Sequence, residues 1–237
     1  MKQRESLFHP LPPSALAEMG KPGRYRDLLF DLDGTVIDSF DGVSRSYRYA
    51  LQKMGREVRD TSELRRVLGP PLSESFEKLY GLVGKENEEA IAHYRKYYLE
   101  NEAVYACSLY DGIVDAIAAL RARGYRISLA TSKPEKMARL ILSRKGITSL
   151  FDFIGGAEDD VGRKEKEDVI RYVLASLEGS DVKSTLMIGD RMYDTVGARA
   201  LGIDTLGVLW GFGSEKELRD SGVLMLADSP SDLLTLL

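Results

Sequence analysis

The amino-acid sequence predicts an α/β protein in which a three-layer, doubly wound parallel sheet carries an inserted all-helical domain. From residue 111 onward, short apolar runs typical of buried strands alternate with amphipathic helices. Such alternation favours right-handed crossovers and a parallel sheet that is covered by helices on both faces. Residues 41–108 show helical patterns with no convincing strand, and they interrupt the alternation directly after the first strand.

Length and composition set the class of protein. The 237 residues suffice for one large domain or for a core domain with a smaller insert. Hydrophobic residues make up 43% and charged residues 30%, which is ordinary for a globular chain and argues against disordered or fibrous classes. The net charge of -4 indicates no basic surface for a nucleic acid polymer. No apolar run reaches the roughly 18 residues of a membrane span, so we expect no membrane partner.

The compartment is predicted from cysteine usage and from the N-terminal residues. Cys107 is the single cysteine, so no internal disulfide can form, and a reducing compartment fits. Residues 1–24 lack the apolar core of a signal peptide and read as a polar extension ahead of the fold. We therefore expect a cytoplasmic protein that is a monomer or a homodimer.

The predicted domains follow from the order of the elements. The core is expected to comprise residues 25–40 and 109–237, and the helical insert residues 41–108. The first strand of the core is DLLF, residues 27–30. The further strands of the core are predicted at residues 125–131, 151–157, 185–189 and 204–210. The helices between them are predicted at residues 111–124, 134–146, 165–177 and 195–202.

The insert is predicted to contain helices whose ends are marked by glycine or by a capping pair. These helices are predicted at residues 42–55, 61–68, 72–80 and 86–100. The last of them carries Tyr94, Tyr97 and Tyr98, which we interpret as a packed tyrosine face rather than as a stacking site for a base. Residues 69–72, GPPL, form a rigid break between two of the helices.

Polar clusters follow successive strands, where ligands bind in open parallel sheets. Asp31 and Asp33 follow the first strand, in DLDGT. The other clusters are Thr131, Ser132 and Lys133 after the second strand, Lys164 and Lys166 before the next helix, and Asp190 and Asp194 in GDRMYD. Tertiary structure should bring all of them together at the carboxyl ends of the strands.

The chemistry of these residues is complementary. Grouped carboxylates repel one another unless a cation or protons offset their charge. A set of oxygen ligands without His or Cys suits Mg2+. A threonine hydroxyl and a lysine ammonium can hold a phosphoryl group, one carboxylate can act as a nucleophile, and a second can move protons. Gly34 permits the tight turn directly after the acid pair.

The motifs DLDGTVIDS, LATSK, the lysine before DVIRY, and IGDRMYD resemble the four motifs of the haloacid dehalogenase-like hydrolases. The resemblance covers about residues 25–237 and implies a Mg2+-dependent phosphatase that acts through an aspartyl-phosphate. It implies that Asp31 is the nucleophile and Asp33 the general acid/base. The implied phosphate-binding residues are Thr131, Ser132, Gly34 and a motif lysine. The implied metal site comprises Asp31, the backbone carbonyl of Asp33, Asp190 and Asp194.

Two details refine the resemblance. Asp33 argues against the dehalogenases of the superfamily, because departure of a halide needs no proton. The sequence GRKEKED lacks the Lys-Pro of many relatives; Lys166 fits the motif position and Lys164 is the alternative. The insert position and the segments GPPL, KEDVIRY and LWGFGS resemble the phosphoglycolate phosphatase-like and 5'-nucleotidase-like branch.

The substrate is expected to be a small phosphorylated metabolite, with phosphoglycolate or a nucleoside 5'-monophosphate as leading candidates. Gly69 and Pro70 belong to a loop that could close over the site. Arg65, just before that loop, could meet a second anionic group or simply belong to a solvated helix face. The alternatives are a β-phosphoglucomutase-like phosphomutase and a non-catalytic binding protein on the same scaffold.

Overall fold

A computed structural model describes residues 23–58, 64–65 and 67–237 of the chain. Residues 1–22 of the extension expected at residues 1–24, and residues 61–63 and 66 of the helix expected at residues 61–68, lie outside this described part. Among the described residues, no helix combines the length and the apolar character needed to cross a membrane.

In the core, strands and helices alternate as predicted up to residue 208, whereas the two α-helices and the one strand that follow were not predicted. The strands are β1 Asp27–Phe30, β2 Ile37–Asp38, β3 Ser108–Leu109, β4 Arg126–Pro134, β5 Phe153–Ala157, β6 Thr185–Gly189, β7 Asp204–Val208 and β8 Met225–Ala227. The α-helices are α1 Phe40–Lys53, α2 Leu72–Tyr80, α3 Lys85–Glu100, α4 Ile113–Ala122, α5 Glu135–Lys145, α6 Lys166–Ser176, α7 Met192–Ala200, α8 Glu215–Ser221 and α9 Leu233–Leu236.

The core is a six-stranded sheet with the order β5-β4-β1-β6-β7-β8, and all of its strand pairs are parallel. Strand β1 lies between β4 and β6, and its residues are buried on both faces of the sheet. Leu28 and Phe30 pack into one apolar cluster and Leu29 into the other. A central parallel strand needs apolar side chains on both faces, which explains the uninterrupted run LLF. The predicted fold class is confirmed.

Helices cover both faces of the sheet. On one face, α4 and α5 contribute Ile113, Ile117 and Ile141 to the cluster that contains Phe30. On the other face, α6 contributes Val169 and Ile170, together with further residues from α6 and α7. The crossovers bring the carboxyl ends of β1, β4 and β6 side by side at one edge of the sheet.

The helices α1, α2 and α3 are inserted between β1 and β4, and we call them the cap. The two chain connections to the cap pair as an antiparallel ribbon, in which Ile37 of β2 lies opposite Leu109 of β3. The sequence indicated no strand in residues 41–108, whereas Ser108 is the first residue of β3. Strands of two residues are too short to leave an alternating pattern in the sequence.

The cap has an aromatic interior. The ring centroids of Tyr47 and Phe76 lie 4.7 Å apart, and those of Tyr47 and Tyr94 lie 5.0 Å apart. Tyr98 stacks on Tyr94 at 5.5 Å. The prediction that the tyrosines of α3 form a packed face is confirmed for Tyr94 and Tyr98.

Candidate active site

A cavity of about 780 Å³ lies between the carboxyl ends of the strands and the cap. Its core wall includes Asp31, Asp33 and Thr131, and its cap wall includes Tyr94 and Tyr98. Sequence reasoning predicted that the polar clusters would meet here, and the topology brings them together.

Asp31 lies at the end of β1, where it is held by the sheet. Its backbone N–H donates to the carbonyl of Ile188 in β6 at 2.9 Å, and the residue is only 8% exposed. The chain then turns sharply at Gly34, whose φ of +86° is in the left-handed region. A Cβ at Gly34 would collide with the carboxylate of Asp190, so glycine allows the turn to approach that residue closely.

Asp31, Asp190 and Asp194 form a buried acidic cluster. One carboxylate oxygen from each lies within 4.8 Å of the others. Oδ2 of Asp190 accepts a hydrogen bond from the backbone N–H of Phe212 at 2.7 Å, while its Oδ1 has no hydrogen-bond partner among the described residues. A buried carboxylate oxygen without a partner, next to two further acids, suits a cation.

The environment shifts the protonation of this cluster. Burial raises the pKa of Asp31 to about 6; the charge of Asp194 adds to this effect, and Lys166 opposes it. Burial also raises the pKa of Asp190 well above its usual range, with Asp194 and Asp31 adding to the shift. Asp31 and Asp190 therefore resist ionisation as long as no further cation is bound.

Lys166 lies between two of these acids. Its Nζ is 2.7 Å from Oδ1 of Asp31 and 2.6 Å from Oδ1 of Asp194, and it donates to the carbonyl of Ala130 at 2.9 Å. Burial alone would lower the pKa of Lys166, but the charges of Asp194 and Asp31 raise it above its usual value. Lys164, the alternative motif lysine, is exposed.

Thr131 and Ser132 line the cavity at the end of β4. Thr131 is buried, and its Oγ1 accepts the backbone N–H of Lys133 at 3.2 Å. Ser132 is exposed toward the cavity. The pairing of β4 with β5 is irregular between Thr131 and Pro134, so the residues between them leave the regular ladder.

Asp33 contacts Lys133, a member of the predicted polar cluster at the end of β4. Nζ of Lys133 lies 3.1 Å from Oδ2 of Asp33 and donates to the hydroxyl of Tyr98 at 3.0 Å. The position of Lys133 two residues after Thr131, at the end of a strand, was the available signal. Its acidic partner is not predictable from sequence because the contact depends on two loops meeting.

The loop after β7 supports Asp190 and was also not predicted as part of the site. A Cβ at Gly211 would collide with the side chain of Asp190, and one at Gly213 would collide with its carbonyl oxygen. Indole Nε1 of Trp210 donates to the carbonyl of Thr35 at 3.0 Å. The two glycines that flank Phe212 were the signal for this close approach.

The cap loop reaches the core near Asp190. Gly69 and Pro70 line the cavity, and a Cβ at Gly69 would meet the side chain of Arg191. Arg65 lies outside the cavity lining, with its guanidinium 5.2 Å from the ring centroid of Phe40.

A second contact joins α2 of the cap to the core. The hydroxyl of Tyr193 donates to Oε1 of Glu74 at 2.9 Å. Glu74 also pairs with Lys78, one helical turn further along α2, at 2.7 Å.

The sequence matches one protein family. Residues 28–208 match the sequence profile of the family described as Haloacid dehalogenase-like hydrolase. The chain is 41% identical to a protein of Pseudomonas aeruginosa named 5'-nucleotidase over 196 residues, which cover 83% of this chain and 88% of that protein.

Two further comparisons extend this finding. The chain is 42% identical to the tyrosine-protein kinase PtkA of Mycobacterium tuberculosis over 193 residues, which are 81% of this chain and 65% of that protein. The crystal structure of a protein from Clostridium acetobutylicum, described as a predicted phosphatase, superimposes with a TM-score of 0.84 at 36% identity. That superposition covers 89% of this chain and 97% of the other.

Proposed function

The chain belongs to the haloacid dehalogenase-like hydrolases and is a phosphatase of that family, and we propose that it hydrolyses small phosphate monoesters with the help of Mg2+. The observation that carries this proposal is the position of Asp31, which is buried at the end of β1 and faces the cavity between Lys166 and the other acids. A nucleophilic carboxylate needs such a place, where it is oriented and shielded from bulk water.

The acidic cluster fits Mg2+ by the chemistry of its donors. Asp31, Asp190 and Asp194 offer only oxygen atoms, and one oxygen of Asp190 lacks a partner among the described residues. We propose that Asp31 and Asp190 hold the ion, that the backbone carbonyl of Asp33 joins them, and that Asp194 supports the site. When bound, Mg2+ supplies positive charge that favours the approach of an anionic phosphoryl group.

The proposed reaction assigns a different task to each acid. The carboxylate of Asp31 attacks the phosphorus atom, so that a bond to the Asp31 oxygen forms as the ester bond breaks. Asp33 gives a proton to the departing oxygen and later takes one from the water that cleaves the aspartyl-phosphate. Thr131, Ser132 and Lys166 would bind the phosphoryl oxygens, and Gly34 would let the loop approach them.

The cavity supports a small substrate. Its volume of about 780 Å³ is within the usual range for sites that enclose a metabolite. We propose phosphoglycolate or a nucleoside 5'-monophosphate as the class to test first, supported by the sequence resemblance and by the relative named 5'-nucleotidase. Gly69 and Pro70 would shape the side of the cavity that faces the leaving group.

The alternative enzymatic functions differ from the hydrolase in the acceptor of the phosphoryl group. A hydrolase gives the phosphoryl group to water, a phosphomutase returns it to a sugar phosphate, and a relative named tyrosine-protein kinase suggests a tyrosine acceptor. A binding protein without catalysis would have no need for Asp31 and Asp33, and both are present.

The test is phosphate release from a panel of esters, with Mg2+ and with a chelator. The panel contains phosphoglycolate, nucleoside monophosphates, sugar phosphates, pyrophosphate and 4-nitrophenyl phosphate. We expect release that depends on the metal, with one ester preferred. Phosphate that reaches a sugar phosphate or a protein tyrosine in place of water would contradict the hydrolase, and no turnover of any kind would favour the binding protein.

A further inference from the structure

We propose that Lys133 is a positioning residue for Asp33, and that Tyr98 of the cap holds Lys133 in the orientation this task requires. The proposal rests on the proposed function, in which Asp33 moves protons to the leaving oxygen and from water. It assigns a role in the reaction to Lys133, the last residue of the motif LATSK, and to Tyr98, which lies outside the four motifs. It also makes the placement of Asp33 depend on the docking of the cap.

The geometry of Lys133 leaves little freedom. Its side chain is 9% exposed, and its ammonium contacts Oδ2 of Asp33 at 3.1 Å and the hydroxyl of Tyr98 at 3.0 Å. A buried ammonium is stable only when partners satisfy its charge and its donors. Lys133 is therefore fixed from two sides, one in the core and one in the cap.

Two lysines that line the cavity pair with different acids. Lys166 contacts Asp31 and Asp194, whereas Lys133 contacts Asp33. This division separates the proposed nucleophile from the proposed acid/base by giving each its own cation.

The backbone around Lys133 is built to hold it away from the regular sheet. The ladder between β4 and β5 is irregular between Thr131 and Pro134, and the N–H of Lys133 donates to Oγ1 of Thr131. Such irregularities re-aim a side chain at the end of a strand. Lys133 thereby reaches Asp33 while Thr131 remains at the cavity wall.

Tyr98 is a rigid partner because its ring is held inside the cap. It is 6% exposed and stacks on Tyr94, which in turn packs edge-on against Tyr47. Tyr98 belongs to α3 and Lys133 to the end of β4, so their hydrogen bond crosses from the cap to the core. Separation of the cap from the core would remove one of the two partners of Lys133.

The test compares two leaving groups, because only a poor one needs a proton from Asp33. The value of kcat/KM reports the steps up to formation of the aspartyl-phosphate, which makes it sensitive to protonation of the leaving oxygen. We expect Lys133→Met to lower kcat/KM by about 100-fold for the best alkyl ester of the panel. The loss for 4-nitrophenyl phosphate should be at least about ten-fold smaller, since nitrophenolate departs without a proton.

Tyr98→Phe should show the same preference with a smaller loss of about five-fold for the alkyl ester, because one hydrogen bond of the Lys133 ammonium is removed while its pairing with Asp33 remains. The matched controls are Tyr97→Phe, whose ring stacks on Tyr49, and Lys96→Met, an exposed lysine of the same helix. Neither control should separate the two esters. If Lys133→Met does not fold, as judged by circular dichroism, Tyr98→Phe carries the test.

Equal losses for both esters would overturn the proposal, because they would mean that Lys133 binds the phosphoryl group or only supports the fold. An alkyl-ester rate unaffected in both variants would overturn it as well. Failure of the proposed function gives a different result, namely that the unmodified protein releases no phosphate from either ester in the presence of Mg2+.

Discussion

The two walls of the cavity affect the stability of the fold in opposite ways. The core wall groups buried charges, with Asp31 and Asp194 in contact with Lys166. The cap wall is formed largely by aromatic rings, with Tyr94 and Tyr98 stacked on each other. Burying aromatic surface stabilises a fold, whereas burying like charges costs free energy. The charges that the proposed reaction needs therefore destabilise the core wall, while the aromatic rings of the cap wall stabilise the fold and shape the cavity.

The walls are joined at a few polar contacts. Lys133 meets Tyr98 on one side of the cavity, and Tyr193 meets Glu74 on the other. Changes in the core wall should therefore act mainly on the chemical steps. Changes at the contacts should act on how the cap is placed.

The largest effect is expected for Asp31→Asn, which removes the proposed nucleophile from the core wall. The variant should lose roughly 10,000-fold or more of kcat, since the amide cannot form the aspartyl-phosphate. The measurement is metal-dependent phosphate release, with Asp220→Asn, an exposed acid paired with Lys216, as the control. Retention of more than about one percent of the activity would mean that another group is the nucleophile.

The next largest effect is expected for Lys166→Met, which breaks the charge balance of the core wall. Removal of the ammonium leaves Asp31 and Asp194 buried without their cation, which should destabilise the metal-free protein by about 3–5 kcal/mol. We also expect a loss of roughly 100- to 1,000-fold in kcat/KM, since the positive charge of Lys166 that would bind the phosphoryl group is removed.

The control for this variant is Lys164→Met, because Lys164 is exposed two residues earlier. Unfolding in urea measures the stability of both variants, and phosphate release measures their activity. A greater loss of activity for Lys164→Met than for Lys166→Met would assign the phosphate-binding lysine to position 164.

A third prediction concerns pH and tests whether the buried acids of the core wall lower the stability of the metal-free protein. Because burial raises the pKa of Asp31 to about 6 from the ordinary 3.8, the folded protein binds more protons than the unfolded one between these pH values. The free energy of unfolding of the metal-free protein should therefore fall as pH rises through this window. Asp31→Asn should remove this contribution, while Asp190 still contributes in the same direction.

Thermal unfolding in chelator at pH 4.5 and pH 7.5 tests this prediction. Asp31→Asn should be more stable than the unmodified protein by a few degrees at pH 7.5 and nearly equal to it at pH 4.5. Mg2+ should stabilise the unmodified protein more at pH 7.5 than at pH 5.5, because the ion competes with protons for the carboxylates. If Asp31→Asn is less stable than the unmodified protein at pH 7.5, the charge of Asp31 does not destabilise the core wall.

The smallest effect is expected for Tyr193→Phe, which removes one contact between the walls. Glu74 keeps its pairing with Lys78, so the loss should be only about 0.5–1.5 kcal/mol. We expect KM for the preferred ester to rise a few-fold with little change in kcat. A fall in kcat of about 100-fold or more would show that this contact takes part in the chemical steps of the core wall.

Much of the core was predictable from local pattern. The runs DLLF and TLMIG correspond to β1 and β6, residue for residue, because a central parallel strand must be apolar on both faces. Most of the helix positions were predictable because apolar residues recur at helical spacing and glycines end several of the helices. The ribbon of β2 and β3 was not predictable, since two-residue strands carry no periodicity.

The candidate site was predictable as a set of residues but not as a set of contacts. Asp31 and Asp190 follow strands and Lys166 begins a helix, so the parallel topology alone brings them to one edge. The choice between Lys164 and Lys166 could not be made from the charge run RKEKED, because both lysines have similar neighbours. In the structure, Lys166 is buried against Asp31, whereas Lys164 is exposed.

Spacing and residue type were enough to predict the core strands and helices up to residue 208, the insertion of a helical cap after the first strand, and which acids follow which strands. Tertiary structure alone decided the pairing of Lys133 with Asp33 and Tyr98, and the close approach of Gly211 and Gly213 to Asp190. These contacts join residues far apart in the chain, and their distances depend on how the cap and the loops pack on the sheet. Local sequence patterns contain no information about such distances.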